Sequence, residues 1–277
     1  MIGSPIGHSK SPLLHAAAYR ALGIHCSYEA IDVDEPDLDR FVDGVRASPG
    51  WRGLSVTMPL KAGVVPLVDR TTEPGTTLGV VNTVVVEGAG SVLTGHNTDV
   101  AGVAHALAAA GVRIPGRAVV LGGGGTSAAA VAGLARLGAE SARIVVRRPE
   151  AASGLRRIGA DLGIAVEIVA WHEANALVKA ADVVISTLPP RGADALAASL
   201  SADTGFRTNG TLLDVAYSPW PSSVAAAWQR AGGSIVPGLD MLLHQAVEQV
   251  ALFFPEVPQD RDSVLKVMCD AAGVIRR

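Results

Sequence analysis

Apolar residues come in two rhythms along this chain. Short β-branched runs without polar alternation are separated by longer stretches rich in alanine and leucine. Arg117–Leu121 predicts a strand, Thr126–Leu137 a helix and Arg143–Arg147 a second strand. Ile164–Val169, Asp182–Ser186 and Thr211–Val215 continue the series, with a helical stretch between each and the next. Uninterrupted apolar strands are buried on both faces, so this alternation predicts an α/β fold with a parallel sheet and crossover helices. The first third is less regular. It predicts a helix over Pro12–Leu22 stopped by Gly23, an extended run Ser27–Val33, a helix near Pro36–Arg46 and a strand near Gly53–Val56. Thr83–Val86 and Val92–Thr94, joined across Gly88 and Gly90, read as a hairpin, and a helix runs from near Asp99 to Ala110 with Gly111 as its stop. After Pro237 the pattern changes to two helices, about Gly238–Phe253 and Arg261–Ala272. These changes place domain boundaries near residues 100 and 237.

Composition narrows the function classes. With 49% apolar and 18% charged residues over 277 positions, the chain has ample material for a packed core and is not a disordered one. A net charge of −3 offers no basic field for nucleic acid. No apolar run reaches the ~18 residues of a membrane helix, and Met1–Pro5 lacks a basic segment leading into an apolar one. Cys26 and Cys269 form no CxxC pair, which argues against a disulfide framework and for a reducing, cytoplasmic location.

The sharpest chemical signal lies at Gly122-Gly123-Gly124-Gly125-Thr126-Ser127, directly after an apolar strand and before an alanine-rich helix. Four glycines can serve merely as a flexible turn. Strand before, helix after and a second strand about 20 residues on are instead the arrangement of a dinucleotide-binding βαβ unit. Bare backbone amides at a helix N-terminus can approach a pyrophosphate, and the helix dipole favours the anion. The next strand ends Val145-Val146-Arg147-Arg148, where an NAD-binding protein usually has an acidic residue for the ribose hydroxyls. Two guanidinium groups suit a 2′-phosphate, so NADP is the expected cofactor; the alternative is a solvated arginine pair.

The first third holds several polar spots in apolar surroundings. Ser9 and Ser11 precede a helix, where Ser11-Pro12 also fits an N-cap and first-turn pair. Lys61, one of four lysines, follows a strand end closely. Asn82-Thr83 and Asn97-Thr98-Asp99 each read singly as turns or caps, Asp99 standing where an N-cap would.

Taken in order, these segments resemble the shikimate dehydrogenase family over nearly the whole chain. Gly3–Pro12 looks like its G-x-P-[IV]-x-H-S-x-S-P opening, Val56–Lys61 its V-T-x-P-x-K, Gly79–Thr83 its G-x-x-N-T and Asn97–Asp99 its N-T-D. Gly122–Ser127 looks like G-x-G-G-[AT]-[SA], Asp214–Pro219 like D-x-x-Y-x-P and Gly238–Ala246 like G-x-x-M-L-x-x-Q-A. The resemblance implies a substrate-binding domain at 1–100 completed by helices in 238–277, a Rossmann-like doubly wound NADP-binding domain at 101–237, and a cleft between them. It implies reversible NADPH-dependent reduction of 3-dehydroshikimate to shikimate, on the route to chorismate and the aromatic amino acids. Ser9, Ser11 and Tyr217 would hold the substrate carboxylate; Thr57, Lys61, Asn82, Asp99 and Gln245 would hold its ring hydroxyls. Lys61 and Asp99 would be the catalytic pair. Gly122, Gly123, Gly124, Gly125, Thr126, Ser127, Arg147, Arg148, Thr187, Val215, Gly238 and Met241 would bind the cofactor. A monomer or homodimer acting on a small molecule is expected, with neither nucleic acid nor membrane as partner.

The implied pair suits the reaction. Hydride arriving at a ketone builds negative charge on oxygen, which a poised ammonium stabilises and can protonate, while a carboxylate orients the amine. Which of the two is the formal acid stays open. Some positions depart from the family pattern. Ser55 stands where many members have Asn, so a side contact there is shorter or absent. His96 replaces a frequent Asp and reads as a surface histidine. The usual Asn-Arg-Thr is here Val146-Arg147-Arg148, with Arg147 in the place of the arginine and Arg148 in that of the threonine, and a downstream basic residue is missing at Ala151 or Ala152. The usual first strand is reduced to Met1-Ile2, so either that strand is very short or the start given lies downstream of the real one. His8 is expected to shape its loop; His15, His105 and His244 read as packing or surface residues. No metal site is expected from the spacing of His, Asp and Glu. The alternatives are a paralogue acting on quinate or an aminated shikimate, and a non-catalytic NADP-binding regulatory protein; retention of both Lys61 and Asp99 speaks against the last.

Overall fold

A computed structural model describes residues 1–88 and 92–274. The chain divides into two compact units, one made of residues 1–99 with 243–277 and the other of residues 100–242.

Along the first unit, β1 (Ile2–Gly3) is followed by α1 (Ser11–Leu22), β2 (Ile31–Asp32), α2 (Leu38–Ala47), β3 (Gly53–Ser55), β4 (Arg70–Thr71), α3 (Gly75–Leu78), β5 (Thr83–Glu87) and β6 (Val92–His96). The β3, β5, β6 and β4 strands form one sheet in that order, antiparallel except for the β4–β6 pair. Parallel to β2, β1 reaches this sheet through a bridge between Ile2 and Val56. The extended run expected over Ser27–Val33 narrows to Ile31–Asp32, the stretch that pairs in register with β1. Ser11 is not an N-cap: it is the first helical residue, and Lys10, which precedes it in helical conformation, makes no side-chain cap bond. At the other end Gly23 closes α1 in the left-handed conformation, donating to the Arg20 and Tyr19 carbonyls. Hairpin strands β5 and β6 pair from Thr83–His96 to Glu87–Val92, while the turn residue Gly90 lies outside the described residues.

Helix α4 (Asp99–Ala109) leads into the second unit, which alternates β7 (Ala118–Leu121), α5 (Gly125–Arg136), β8 (Ser141–Val146), α6 (Gly154–Asp161), β9 (Ala165–Ala170), α7 (Ala174–Ala180), β10 (Val183–Ser186), α8 (Asp194–Ala202), β11 (Thr211–Asp214), α9 (Ser223–Arg230) and β12 (Ser234–Pro237). All six strands pair in parallel, in the order β9-β8-β7-β10-β11-β12. This is the doubly wound Rossmann order, with its switch point between β7 and β10. The sequence pattern missed β12, a short edge strand of mixed polarity that gains its backbone partners only from β11. Strands β7, β10 and β11 are buried along their whole length, β7 as an unbroken apolar run and the other two with polar residues at their ends. Gly133 lets α5 lie close to α4, since a Cβ there would come within 2.7 Å of the Val103 side chain.

Helix α10 (Gly238–Phe253) returns the chain to the first unit, where α11 (Arg261–Ala272) packs against α1. No helix among the described residues is long and apolar enough to cross a membrane.

Candidate active site

In the first unit, Lys61 stands in a run of turns after β3, and Asp99 is the first residue of α4. The Lys61 Nζ lies 2.5 Å from Asp99 Oδ2, with side-chain exposures of 16% and 6%. Asp99 does not act as a cap. Instead the Asn97 side chain accepts the Asp99 N–H at 3.0 Å, which leaves the Asp99 carboxylate for side-chain partners. Asn82 Nδ2 donates to Asp99 Oδ1 at 2.9 Å and to Thr98 Oγ1 at 2.9 Å, with Gln245 Oε1 at 3.4 Å. The Asn82 carbonyl oxygen takes the Thr98 N–H and the Thr83 hydroxyl, each at 2.8 Å. Val81 N–H to Lys61 O and Asn82 N–H to His96 O bring the backbones of these three segments side by side. Lys61, Asn82, Asp99 and Gln245, far apart in sequence, are therefore one cluster.

Ser9, Ser11 and Thr57 belong to the same unit. Ser9 Oγ accepts the Ser11 N–H at 3.2 Å, and Ser11 is buried with its side chain against the Tyr28 hydroxyl. Ser55 lies between Tyr28 Oη at 2.6 Å and Gln249 Oε1 at 2.8 Å. His96 is half-buried rather than a surface residue, because the β4–β6 pairing brings it next to Thr72; its Nδ1 lies 2.8 Å from Thr72 Oγ1, and burial pushes its pKa below the usual histidine range. His15 is fully buried, and desolvation lowers its pKa to about 3, so its ring is neutral.

In the second unit, the glycine turn stands at the switch point. Gly122 has φ +115°, and a Cβ there would come within 2.4 Å of Thr187 Oγ1 on the neighbouring β10 end. Both the torsion and the close approach demand glycine. Ser127 is fully buried and its hydroxyl pairs with Thr187 Oγ1 at 2.7 Å; Thr187 in turn donates to the Leu121 carbonyl. Ser127 thus braces the turn instead of facing out of it. A pocket of about 600 Å³ opens beside it, lined by Gly122, Gly123 and Gly124, by Arg147 and Arg148 just past β8, by Thr187, and by Trp171. Gly125, Thr126, Ser127, Val215, Gly238 and Met241 do not line it. Gly238 packs on Val215, where a Cβ would come within 2.0 Å of the Val215 oxygen, and Met241 is buried in α10. Tyr217 is half-buried on the loop after β11.

Sequence reasoning missed two residues. Trp171 follows β9, and only the strand order brings it to the pocket of the glycine turn. Gln249 is buried in the first unit's polar cluster; its one legible signal was its place a helical turn after Gln245 on α10.

These features define a class: two-unit α/β proteins in which one unit is a Rossmann-type doubly wound sheet with a glycine turn at its switch point. Comparison with known proteins narrows it. The family model of the shikimate dehydrogenase substrate binding domain matches residues 1–84. The shikimate dehydrogenase (NADP(+)) of Rubrobacter xylanophilus is 40% identical over 252 residues, 90% of this chain and 87% of that protein. The crystal structure of Mycobacterium tuberculosis shikimate dehydrogenase superposes with a TM-score of 0.84 at 39% identity, covering 96% of this chain and 97% of that one. The Thermus thermophilus enzyme, solved in complex with NADP(H) and shikimate, gives 0.78 at 28% identity over 98% and 97% of the two chains. The chain belongs to the shikimate dehydrogenase family.

Proposed function

We propose that this chain catalyses the reversible NADPH-dependent reduction of 3-dehydroshikimate to shikimate, a step toward the aromatic amino acids. The observation that carries the reading is the Lys61–Asp99 pair, 2.5 Å apart and largely withdrawn from water, with Asn82 on the second carboxylate oxygen. A buried ion pair is an expensive way to stabilise a fold, so its presence favours a chemical role.

The second unit suits the cofactor. Gly122, Gly123 and Gly124 line the pocket with bare backbone that suits a pyrophosphate, and Arg147 and Arg148 line the same pocket where a 2′-phosphate needs cations. NADPH, when bound, supplies the hydride. Lys61 holds a proton next to the carbonyl oxygen, neutralises the charge that grows there and delivers that proton to make the hydroxyl. In the oxidation direction the neutral amine takes the proton back. Asp99 orients Nζ, and Asn82 orients Asp99. Thr57, Asn82 and Gln245 hold the ring hydroxyls, and Ser9 and Ser11 hold the carboxylate. Hydroxyl and amide partners reject an analogue that lacks a hydroxyl, because they would be left unpaired. Cys26 and Cys269 form no disulfide, which supports a cytoplasmic location.

The test is absorbance at 340 nm with shikimate or quinate, each with NADP⁺ and NAD⁺. Shikimate with NADP⁺ is expected to give the highest kcat/KM. A preference for quinate, or no turnover with either acid, overturns the reading.

A further inference from the structure

Gln249 is buried, belongs to none of the motifs above, and uses both ends of its amide. Its Nε2 donates to the Asn82 backbone oxygen at 3.1 Å and to Thr83 Oγ1 at 2.9 Å. Its Oε1 faces the Ser55 hydroxyl at 2.8 Å and His15 Nε2 at 3.3 Å. A backbone carbonyl can only accept, so the amide has one allowed orientation.

That orientation propagates. Thr83 accepts from Gln249, so its own proton goes to Asn82 Oδ1, 2.8 Å away. The Thr98 N–H reaches the same oxygen at 2.8 Å. With its oxygen held there, Asn82 must turn its NH₂ to Asp99 Oδ1, which leaves Asp99 Oδ2 for Lys61. Reversing Asn82 would set a carbonyl oxygen against a carboxylate. On the other side of Gln249 the sense is equally fixed. Ser55 donates to Oε1 and accepts from Tyr28, and neutral His15 donates through Nε2 while its Nδ1 faces the Tyr19 hydroxyl at 3.2 Å.

We propose that Gln249 and Thr83 are positioning residues: they set the donor–acceptor sense of a buried relay that points the Asn82 amide at Asp99 and so presents Lys61 to the substrate. The proposal rests on the reading of Lys61, Asn82 and Asp99 given above. Neither residue touches the reacting atoms; each acts through Asn82.

The experiment uses the full chain with Thr83→Val, Thr83→Ser and Gln249→Met, measuring kcat and both KM values for shikimate oxidation by NADP⁺, with thermal melting as a check on folding. Thr83→Val keeps the shape and removes the hydroxyl. It should lower kcat by about tenfold, the scale of one lost buried hydrogen bond, while KM for NADP⁺ stays unchanged. Thr83→Ser restores the hydroxyl and should return kcat to within about twofold of wild type on the same reasoning. Gln249→Met, which removes both ends of the joint, should lower kcat further. A Thr83→Val enzyme with wild-type kcat overturns the relay, and so does a Thr83→Ser enzyme as slow as Thr83→Val, since the methyl rather than the hydroxyl would then matter. Wild type failing to oxidise shikimate brings down the functional reading and the relay with it; a normal wild type beside an undisturbed Thr83→Val brings down the relay alone.

Discussion

At the residue scale, the site depends on how a buried carboxylate is neutralised. Asp99 is 6% exposed in its side chain and has Lys61 on one oxygen and Asn82 on the other. Replacing Lys61 with Ala removes the ammonium and leaves the carboxylate with the amide alone. Turnover should fall by roughly 10²-fold or more, the scale of a positioned acid–base group, while shikimate binding weakens far less. Steady-state kinetics with a shikimate titration check this, and near-normal kcat would remove the lysine from the mechanism. The same substitution should lower the melting temperature, because breaking a buried pair from one side costs about 3–5 kcal/mol. Lys61 and Asp99 were legible as candidates through their motifs. Gln249 was not, because a glutamine one helical turn after Gln245 carries no sign of what its amide will meet.

At the scale of elements, the turn from β7 into α5 meets two demands. Its backbone takes a left-handed torsion at Gly122, and the β10 end crowds that Cα. Gly122→Ala should destabilise the protein by about 1–3 kcal/mol, the usual cost of a forced unfavourable torsion, and weaken NADP⁺ as the turn shifts. Thermal melting and a binding titration read the two effects, and unchanged affinity would show that the turn does not approach the cofactor. The β8 end makes a separate contribution. Arg147 and Arg148 are exposed beside the pocket, with no acidic residue among those lining it. Replacing both with Ala should weaken NADP⁺ at least tenfold and leave NAD⁺ nearly unchanged, because charge-assisted bonds to a 2′-phosphate have no counterpart in NAD⁺. Equal losses for the two cofactors would contradict the clamp.

For the whole molecule, buried titratable groups tie stability to pH. His15 is held at about 3 by desolvation, against 6.5 for the free side chain. The unfolded chain binds a proton there below about 6.5 and the folded chain does not until about 3, so stability is full above 6.5 and falls as pH drops between the two values. The slope approaches about 1.4 kcal/mol per pH unit for one such group. Asp214 acts in the opposite sense, since burial raises its carboxyl above the usual range and favours the folded state at low pH. Comparing wild type with His15→Gln isolates the histidine: denaturant melts from pH 7 to 4 should show a shallower decline in the variant. Parallel curves would mean that His15 is protonated in the folded protein.

The order of elements in the second unit could be read from the chain, because strands buried on both faces are mainly apolar and a glycine turn before a helix leaves few architectures open. The family motifs likewise singled out Lys61, Asn82 and Asp99, since each segment carries its own chemistry. Strand β12 and the partners of Ser55, Trp171 and Gln249 were decided only by the tertiary structure. An edge strand exists through its neighbour's backbone, and a hydrogen bond between residues 55 and 249 belongs to neither local sequence. Periodicity records which face of an element is buried; it does not record the donor and acceptor that folding brings against it.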